Sequence, residues 1–313
     1  MEVQDVPNPG LAEPSFAKDM SAWPRLKIAR AVQHIRDLEG RIVVWSSGKP
    51  FTTESGISED RLLWQTKMKV CTLPPLFEWS LILGDCFHAL RGSLDACVWE
   101  LAHLNGATPP KPHLLQFPIL EDGDKWEKVK RDRLQTAPDE IADRIRVLQP
   151  FNRPSEELSR DPLLCLNWLD VLDKHRSNIK VNINSNQIST DLMVSWNSSG
   201  AAGRNTPPNA TYYTPELIDG AVLMELRSQD PIASTKGGCS FQFVFTVATP
   251  SGREELFALA NNMIRYVQQV HDGLLGGLVK RDTILESEIK GASGWKNMEM
   301  VQEGSVYRSV HEG

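Results

Sequence analysis

The chain has 313 residues, of which 41% are hydrophobic and 24% are charged, so its composition is that of a globular protein with a buried core. Its formal net charge is -6, and no strong basic stripe of the kind that marks a nucleic-acid-binding domain is visible. The N-terminus lacks a basic region followed by an apolar run, and no stretch approaches the roughly 18 apolar residues of a membrane span. We therefore expect a cytoplasmic protein that makes no membrane contact.

The five cysteines are scattered along the chain and form no C-x-x-C pair. A zinc site or a disulfide framework is therefore not expected, and reduced thiols are the simplest interpretation. Gly-rich phosphate loops and the H-E-x-x-H and G-x-S-x-G motifs do not occur in the sequence. The sequence thus predicts neither a metal nor a cofactor.

The first helix is predicted from its start signal and its period. Residues 1–20 are rich in proline, glycine and acidic side chains, and we predict that they form a flexible tail. Ser21-Ala22-Trp23-Pro24 is typical of a helix start, and apolar residues then recur every three or four positions as far as Trp45. Partial alternation of apolar and polar residues over 61–70 indicates a strand.

The strongest helical pattern lies over residues 76–104. Its apolar residues are spaced four, three, four, three and four positions apart, at Leu83, Phe87, Leu90, Leu94, Cys97 and Leu101. This spacing predicts a packing seam against another helix and favours a helical bundle. The same helix is a candidate contact for a protein partner or for a second copy of the chain.

Shorter elements follow the seam helix. Phe117-Pro118-Ile119 is predicted to be extended, because a residue before proline avoids the helical region. Two charged segments, 124–134 and 138–148, are predicted to be surface helices. Asp161-Pro162 is typical of a cap followed by proline at the first helical position, and it opens a helix that runs to His175.

The pattern changes after residue 178. Strand-like segments follow, at 180–183, 191–196, 221–226 and 241–247. A polar loop at 198–208 separates them, and a final amphipathic helix is predicted over 253–275. Residues 283–313 are predicted to be a second flexible tail.

Together these elements predict an α+β fold. An N-terminal helical bundle over 21–178 is followed by a small antiparallel sheet and a closing C-terminal helix over 179–282. Strands that follow one another without intervening helices favour antiparallel pairing. We expect the sheet and the closing helix to pack with the bundle as one unit.

His88, Arg91 and Asp95 are the polar residues that stand out in the seam helix. They lie at i, i+3 and i+7, so they share one face. His88 and Asp95 are roughly 10 Å apart along the helix axis, so a single reacting atom does not reach both, whereas Arg91 reaches either. An arginine between an acid and a histidine suits an anion or a phosphate. The alternative is an Arg–Asp pair on a solvated or interhelical face.

Asp173-Lys174-His175-Arg176 is the second candidate. Four consecutive helical residues point in different directions, so this run is not one patch. The apolar spacing of the helix continues to His175, which is therefore predicted to face inward and to need a hydrogen-bond partner. Asp173 and Arg176 share another side. The alternative is a helix end whose basic residues complement the helix dipole.

These segments resemble a family of uncharacterised bacterial and phage proteins. The resemblance spans residues 25–180 and rests on five pieces: Leu83–Asp95, Val98–Ala102, Phe117–Ile119, Leu148–Phe151 and Leu172–Arg176. In that family a histidine directly after the aspartate gives an R-x4-H pattern, which is similar to that of HEPN-type helical ribonucleases; these often dimerise. Ala96 stands at the histidine position here.

Two functional hypotheses follow. The first is a non-catalytic helical binding protein that recognises an anionic ligand or a protein partner through His88, Arg91, Asp95, Asp173 and Arg176. The second is implied by the resemblance: a HEPN-like, metal-independent ribonuclease in a toxin or phage-defence setting, with RNA as its partner. Its catalytic candidates are Arg91, Asp95 and His175, where Arg91 holds phosphate and His175 or His88 acts as acid or base. A phage structural or accessory protein is a third alternative.

Overall fold

The computed structural model of the protein describes residues 23–175, 179–206 and 208–275, so both predicted tails lie outside the described residues. The helices are α1 (Trp23–Ser47), α2 (Leu76–Ala102), α3 (Trp126–Val129), α4 (Asp139–Val147), α5 (Pro162–His175), α6 (Ala201–Arg204) and α7 (Leu256–Leu275). The strands are β1 (Phe51–Ile57), β2 (Leu63–Val70), β3 (Val181–Trp196), β4 (Asn209–Tyr212), β5 (Val222–Arg227), β6 (Ile232–Thr249) and β7 (Gly252–Glu255). The predicted α+β class and its antiparallel strands are confirmed.

The described chain divides into two compact units. The helical unit comprises residues 23–37, 80–175, 179 and 248–275. The sheet unit comprises residues 38–79, 180–206 and 208–247. The closing helix α7 is thus grouped with the helices. None of the described helices has both the length and the apolar character that crossing a membrane requires.

The seam of α2 forms the centre of the helical unit. All six seam residues have fully buried side chains, as their heptad-like spacing predicts. Helix α7 contacts both α4 and α5. Helix α5 begins where the sequence placed its cap, because Asp161 Oδ1 accepts hydrogen bonds from the N–H groups of Leu163 and Leu164, at 2.9 and 3.1 Å.

The charged segment before α4 is not the single helix that the sequence predicted. It forms a 3-10 turn (Gly123–Lys125), the single turn α3 and a π turn (Lys130–Leu134). The buried side chains of Trp126 and Leu134 fix its inner face, so only its outer face is at the surface. Gln135 ends the π turn with a positive φ of 38°. Its side-chain amide accepts from Lys111 N–H at 2.9 Å and donates to Lys111 C=O at 2.6 Å, which fixes the loop opposite.

The sheet unit holds a four-stranded sheet in the order β1-β2-β5-β4. The strand predicted within 61–70 is β2, and its alternation places Trp64, Thr66 and Met68 toward the core. Strands β1 and β4 were not predicted. Of the β1 residues only Phe51 is buried, so the strand carries no apolar alternation that sequence analysis can detect.

The second sheet has the order β3-β6-β7 and much longer strands than predicted. The two segments predicted at 180–183 and 191–196 are one strand, β3, which pairs with β6 from Val181 opposite Val247 to Trp196 opposite Ile232. Backbone pairing with β6 continues between the two segments, with one irregularity between Ser185 and Ile188, although this stretch shows no apolar pattern. Leu192 and Val194 of β3 pack against the buried cluster around Trp64, which joins the two sheets.

Candidate functional site

The three polar residues of α2 take part in two separate arrangements. His88 reaches α5, whereas Arg91 and Asp95 hold the extended segment at Phe117. The predicted common face therefore does not form a single site. Both arrangements lie in the helical unit.

Arg91 is a buried arginine, with only 3% of its side chain exposed. Its Nη1 donates to Asp95 Oδ1 at 2.5 Å, and its Nη2 donates to the backbone C=O of Phe117 at 2.9 Å. The N–H of Phe117 donates back to Asp95 Oδ1 at 2.9 Å, which closes a three-residue polar clamp. The Arg–Asp pair that the sequence analysis kept as an alternative is therefore present. With both terminal nitrogens engaged below the surface, Arg91 has no exposed face for a phosphate.

Asp95 is the member of the clamp that reaches the surface. Burial raises the pKa of its carboxyl, and Arg91, the Phe117 N–H and Lys174 oppose that rise. Its Oδ2 accepts no hydrogen bond from the described residues, because both donors of the clamp use Oδ1. Asp95 therefore presents one oxygen to its surroundings while the other holds the fold together.

Those surroundings are a surface pocket of about 680 Å³, which we call the basic pocket. It lies between Asp95, the 3-10 turn at Pro112–Leu114 and the segment from Lys125 to Arg133. Its lining residues are Asp95, His113, Leu114, Leu115, Gln116, Lys125, Lys128, Val129, Asp132 and Arg133. The lining holds three lysine or arginine side chains against two carboxylates.

Two of these cations lack partners in the described part of the chain. Lys125 is paired with Asp122 at 3.1 Å. Within residues 23–175, 179–206 and 208–275, neither Lys128 nor Arg133 forms an ion pair or a side-chain hydrogen bond. Both carboxylates of the lining are paired, Asp95 with Arg91 and Asp132 with Arg131, so the unpaired charge of the lining within the described residues is positive. A small anion is the ligand that such a lining attracts.

His88 belongs to a different arrangement, a histidine held by a buried acid. Its Nδ1 lies 2.9 Å from Asp170 Oδ1, and the other carboxylate oxygen accepts from Lys174 Nζ at 2.8 Å. The Asp170 side chain is 6% exposed, whereas that of His88 is 53% exposed. The acid therefore orients a ring whose opposite nitrogen faces solvent.

Asp173 lies beside this pair and packs closely against α2. A Cβ added to Gly84 would lie 2.6 Å from Asp173 Cγ, so only glycine leaves room for the carboxylate there. Burial and the nearby charges of Asp85 and Asp170 raise the pKa of Asp173. Its interactions are with the acids and His88 of this arrangement, and it does not line the basic pocket.

The end of α5 carries two of the predicted site residues, His175 and Arg176. The backbone of His175 ends the helix, while its side chain and the whole of Arg176 lie outside what the structure describes. Lys174 is the α5 residue whose positive charge lowers the pKa of Asp95. The approach of the His175 side chain to Arg91 and Asp95 stays a prediction.

A serine–histidine pair in the core was not predicted. Ser93 Oγ lies 2.8 Å from the C=O of Pro24 and 2.9 Å from His271 Nε2. Because the carbonyl only accepts, the hydroxyl donates to Pro24 and accepts from His271, so the serine is not activated as a nucleophile. His271 is buried, its Nδ1 has no hydrogen-bond partner among the described residues, and burial together with Arg25 lowers its pKa to about 4. The pair ties α1, α2 and α7 together.

The sequence analysis missed Asp170 and the cations of the basic pocket. Asp170 was hidden among the apolar residues of α5, although its i, i+4 spacing to Lys174 was a usable signal. Lys128 and Arg133 lie in a segment with five lysine or arginine residues between 125 and 133, which was interpreted as an ordinary surface helix. That local density of positive charge was the signal for the pocket.

No family model, curated protein or solved structure matches the chain. Among the described residues, histidine, cysteine and acidic side chains form no group of three or more that could hold a metal ion. The geometry of this chain is therefore what indicates its function.

Proposed function

We propose that the protein is a non-catalytic binding protein that recognises an anionic ligand in the basic pocket. The observation that carries this proposal is the pairing state of its cations: Lys128 and Arg133 line the pocket and have no partner in the described part of the chain. Arginine and lysine side chains without partners are the usual ligands of phosphate and carboxylate groups in proteins.

The clamp supports this role by positioning one wall of the pocket. Arg91 and Asp95 together fix the Phe117 segment, and Leu115 and Gln116 of the pocket lining directly precede it. Gln135 fixes Lys111 on the opposite loop. In the proposal, Arg91 acts through Asp95 and Phe117 and does not touch the ligand.

Calorimetric titration of the full chain with three anions tests the proposal: inorganic phosphate, pyrophosphate and citrate. We expect at least one of them to bind, with an affinity that falls as salt is raised, because the contacts are solvent-exposed charges. Lys128→Gln and Arg133→Gln should each weaken binding by about tenfold, the effect of losing one charge-assisted contact. Arg36→Gln is the matched control, since Arg36 is an exposed arginine of α1 that is not part of the pocket.

Two results would contradict the proposal. One is the absence of heat for all three anions at low salt. The other is binding that Arg36→Gln weakens as much as Arg133→Gln does, because attraction to the overall charge of the chain would then explain it.

The second candidate function is metal-independent RNA cleavage in a toxin or phage-defence setting. One observation favours it: the raised pKa of Asp95 brings this carboxyl, at the edge of a cationic pocket, closer to the range in which an acid transfers protons. Incubation with an RNA panel in the presence of a chelator tests it. Asp95→Asn keeps an acceptor for Arg91 and Phe117, so loss of cleavage in this variant supports the idea, and intact RNA with the wild-type chain rules it out.

The proposal extends to the partner and the location of the protein. A protein partner or a second copy on the α2 surface remains part of the proposal for a binding protein of bacterial or phage origin. A cytoplasmic location is supported by the cysteines: all five are free thiols, and four of them are buried. Reduced thiols persist in a reducing compartment.

A further inference from the structure

The basic pocket has more room than an inorganic anion needs. Its volume of about 680 Å³ lies in the range of about 300–1,000 Å³ that is usual for sites holding whole organic molecules. All of its lining residues belong to the helical unit. The pocket therefore accommodates an organic body attached to the anionic group, and the uncharged contacts of the lining indicate what that body carries.

One wall of the pocket connects a carboxylate to a cation through the backbone. The N–H of Phe117 donates to Asp95 Oδ1 at 2.9 Å, and the N–H of the preceding residue, Gln116, donates to the C=O of Arg133 at 3.4 Å. Adjacent Cα atoms are about 3.8 Å apart. Asp95 and Arg133 therefore lie next to the same short segment, and one small molecule in the pocket can contact both.

Asp95 has an unused hydrogen-bond acceptor at this wall. Its Oδ1 takes both internal donors, and its Oδ2 accepts no hydrogen bond from the described residues. The Arg91 side chain is 3% exposed, whereas that of Asp95 is 33% exposed. Since Oδ1 is turned toward the buried arginine, Oδ2 is the oxygen on the exposed side. An ionised carboxylate only accepts hydrogen bonds, so the ligand group that meets Oδ2 is a donor.

The donor that suits Asp95 is a neutral one. The charge of this carboxylate is already balanced by Arg91, and the lining carries three lysine or arginine side chains. A ligand ammonium group would meet those like charges, which disfavour its binding. A hydroxyl group satisfies Oδ2 without adding charge. The side-chain amide of Gln116 forms no hydrogen bond within the described ranges, and it can donate to or accept from a second hydroxyl.

Asp132, the other carboxylate of the lining, is less suited to this contact. Its ion pair is with the neighbouring Arg131 at 3.5 Å, and the Arg131 side chain is 74% exposed. A surface pair of this kind holds a side chain weakly, so ordering Asp132 on a ligand costs conformational entropy. Asp95 is held by two internal donors and needs no such ordering, which favours it as the acceptor.

The unpaired cations indicate which kind of phosphate is bound. Lys128 and Arg133 have no partner in the described part of the chain. A phosphate monoester carries about 1.5 to 2 negative charges at neutral pH, which is enough for both cations. A phosphodiester, such as a linkage of the RNA backbone, carries only one. A monoester is therefore the better match.

We propose that the basic pocket binds a phosphate monoester of a small polyol, of the sugar phosphate class. Its phosphate lies on Lys128 and Arg133, one hydroxyl group donates to Asp95 Oδ2, and a second contacts Gln116. This inference rests on the proposed function, since it names the ligand of the same pocket. It gives Asp95 a contact with the ligand in addition to its part in the clamp.

Calorimetric titration of the full chain with two matched ligands tests the proposal. Glycerol 3-phosphate carries two hydroxyl groups, and n-propyl phosphate has the same carbon chain and phosphate without them. We expect glycerol 3-phosphate to bind at least about tenfold more tightly, the effect of one charge-assisted hydrogen bond. Lys128→Gln and Arg133→Gln should weaken the binding of both ligands, because both ligands share the phosphate contacts.

Asp95→Asn should reduce the preference for glycerol 3-phosphate to less than about threefold. Asparagine keeps an acceptor for Arg91 and Phe117, but it replaces Oδ2 by an uncharged amide group, whose hydrogen bonds are about half as strong. Asp124→Asn is the matched control. It removes the same charge from an exposed aspartate that is not part of the lining, so the preference should stay at the wild-type value.

The comparison of the two ligands on the wild-type chain separates this inference from the proposed function. If neither ester binds, both fail. If both esters bind equally, and Lys128→Gln and Arg133→Gln weaken them, the proposed function stands and the hydroxyl contact is refuted. This comparison decides the matter even if Asp95→Asn does not fold.

Four further results would overturn the inference. Phosphoethanolamine binds more tightly than glycerol 3-phosphate, which identifies a cationic donor. Hexauridylate without terminal phosphates binds as tightly as glycerol 3-phosphate, which identifies a phosphodiester. Asp124→Asn reduces the preference as much as Asp95→Asn does. Asp132→Asn removes the preference while Asp95→Asn leaves it intact, which assigns the hydroxyl contact to Asp132.

Discussion

Arg91 and Arg133 are both arginines of the helical unit near the basic pocket. The charge of Arg91 is used in an internal ion pair, whereas the charge of Arg133 is open to a ligand. Arg91 is buried, with Asp95 and the Phe117 carbonyl as partners. Arg133 lines the pocket and forms no ion pair within the described ranges. Arg91 stands out in the sequence because it interrupts an apolar helix, whereas Arg133 is one charge among many. The contrast teaches that a conspicuous charge in an apolar pattern indicates burial and an internal partner before it indicates a ligand.

Removing the buried charge of Arg91 should reduce the free energy of unfolding more than any other change considered below. Arg91→Ala leaves Asp95 without its partner and the Phe117 carbonyl without its donor. Breaking a buried pair from one side costs about 3–5 kcal/mol of unfolding free energy. Arg133→Ala, at a surface position without a partner, should change stability by less than about 0.5 kcal/mol. Urea unfolding of both variants measures the difference, and equal losses of stability would refute the distinction between them.

The buried His271 should make the free energy of unfolding depend on pH, and this is the second largest expected change. The pKa of His271 is lowered from 6.5 to about 4 by burial and by Arg25. Between these pH values the unfolded chain binds a proton that the folded chain does not, so stability falls as the pH falls from 6.5 toward 4. At pH 5 the loss from this group is about 2 kcal/mol relative to neutral pH, at 1.36 kcal/mol per pH unit.

His271→Gln checks this effect. Glutamine keeps an N–H donor for Ser93 and does not titrate. Urea unfolding at pH 7 and pH 5 should show a smaller pH dependence in the variant than in the wild-type chain. If both chains lose the same stability on acidification, His271 is not the group responsible.

Replacing Gly84 by alanine should change stability least, and it tests whether the Asp173 carboxylate is held in place against α2. In a helix, alanine is about 1 kcal/mol better than glycine. At this position the added methyl group would meet the carboxylate of Asp173, so Gly84→Ala should destabilise the wild-type chain. In an Asp173→Ala background the obstruction is gone, and the same change should stabilise by up to about 1 kcal/mol. A double-mutant cycle by urea unfolding measures this reversal of sign; a stabilising Gly84→Ala in the wild-type chain would show that Asp173 moves freely.

Periodic apolar patterns account for the parts of the fold that the sequence predicted. The seam of α2 and the alternation of β2 both arise because one face of the element is buried. The polar middle of β3 has no such pattern, since pairing with β6 and not side-chain burial holds it in the strand. β1 was missed for the same reason.

The candidate site was predicted less well than the fold, because it depends on contacts between distant residues. Helical spacing predicts that His88, Arg91 and Asp95 share one face of α2, but it carries no information about what each side chain contacts. Asp170 lies 82 positions from His88, and Phe117 lies 26 positions from Arg91. Lys128 and Arg133 have no partner in the part of the chain that the structure describes because of where the surrounding acids lie, and no local pattern contains that information.

The central claim is that the charges free to bind are those of the basic pocket, while Arg91 serves the fold. Urea unfolding in pyrophosphate tests it most directly, because one curve reports both stability and binding. At ten times its Kd the anion should stabilise the wild-type chain and Arg36→Gln by about 1.4 kcal/mol. The double variant Lys128→Gln, Arg133→Gln should keep the stability of the wild-type chain in the absence of the anion and gain nothing from it. An equal gain in the double variant would contradict the account.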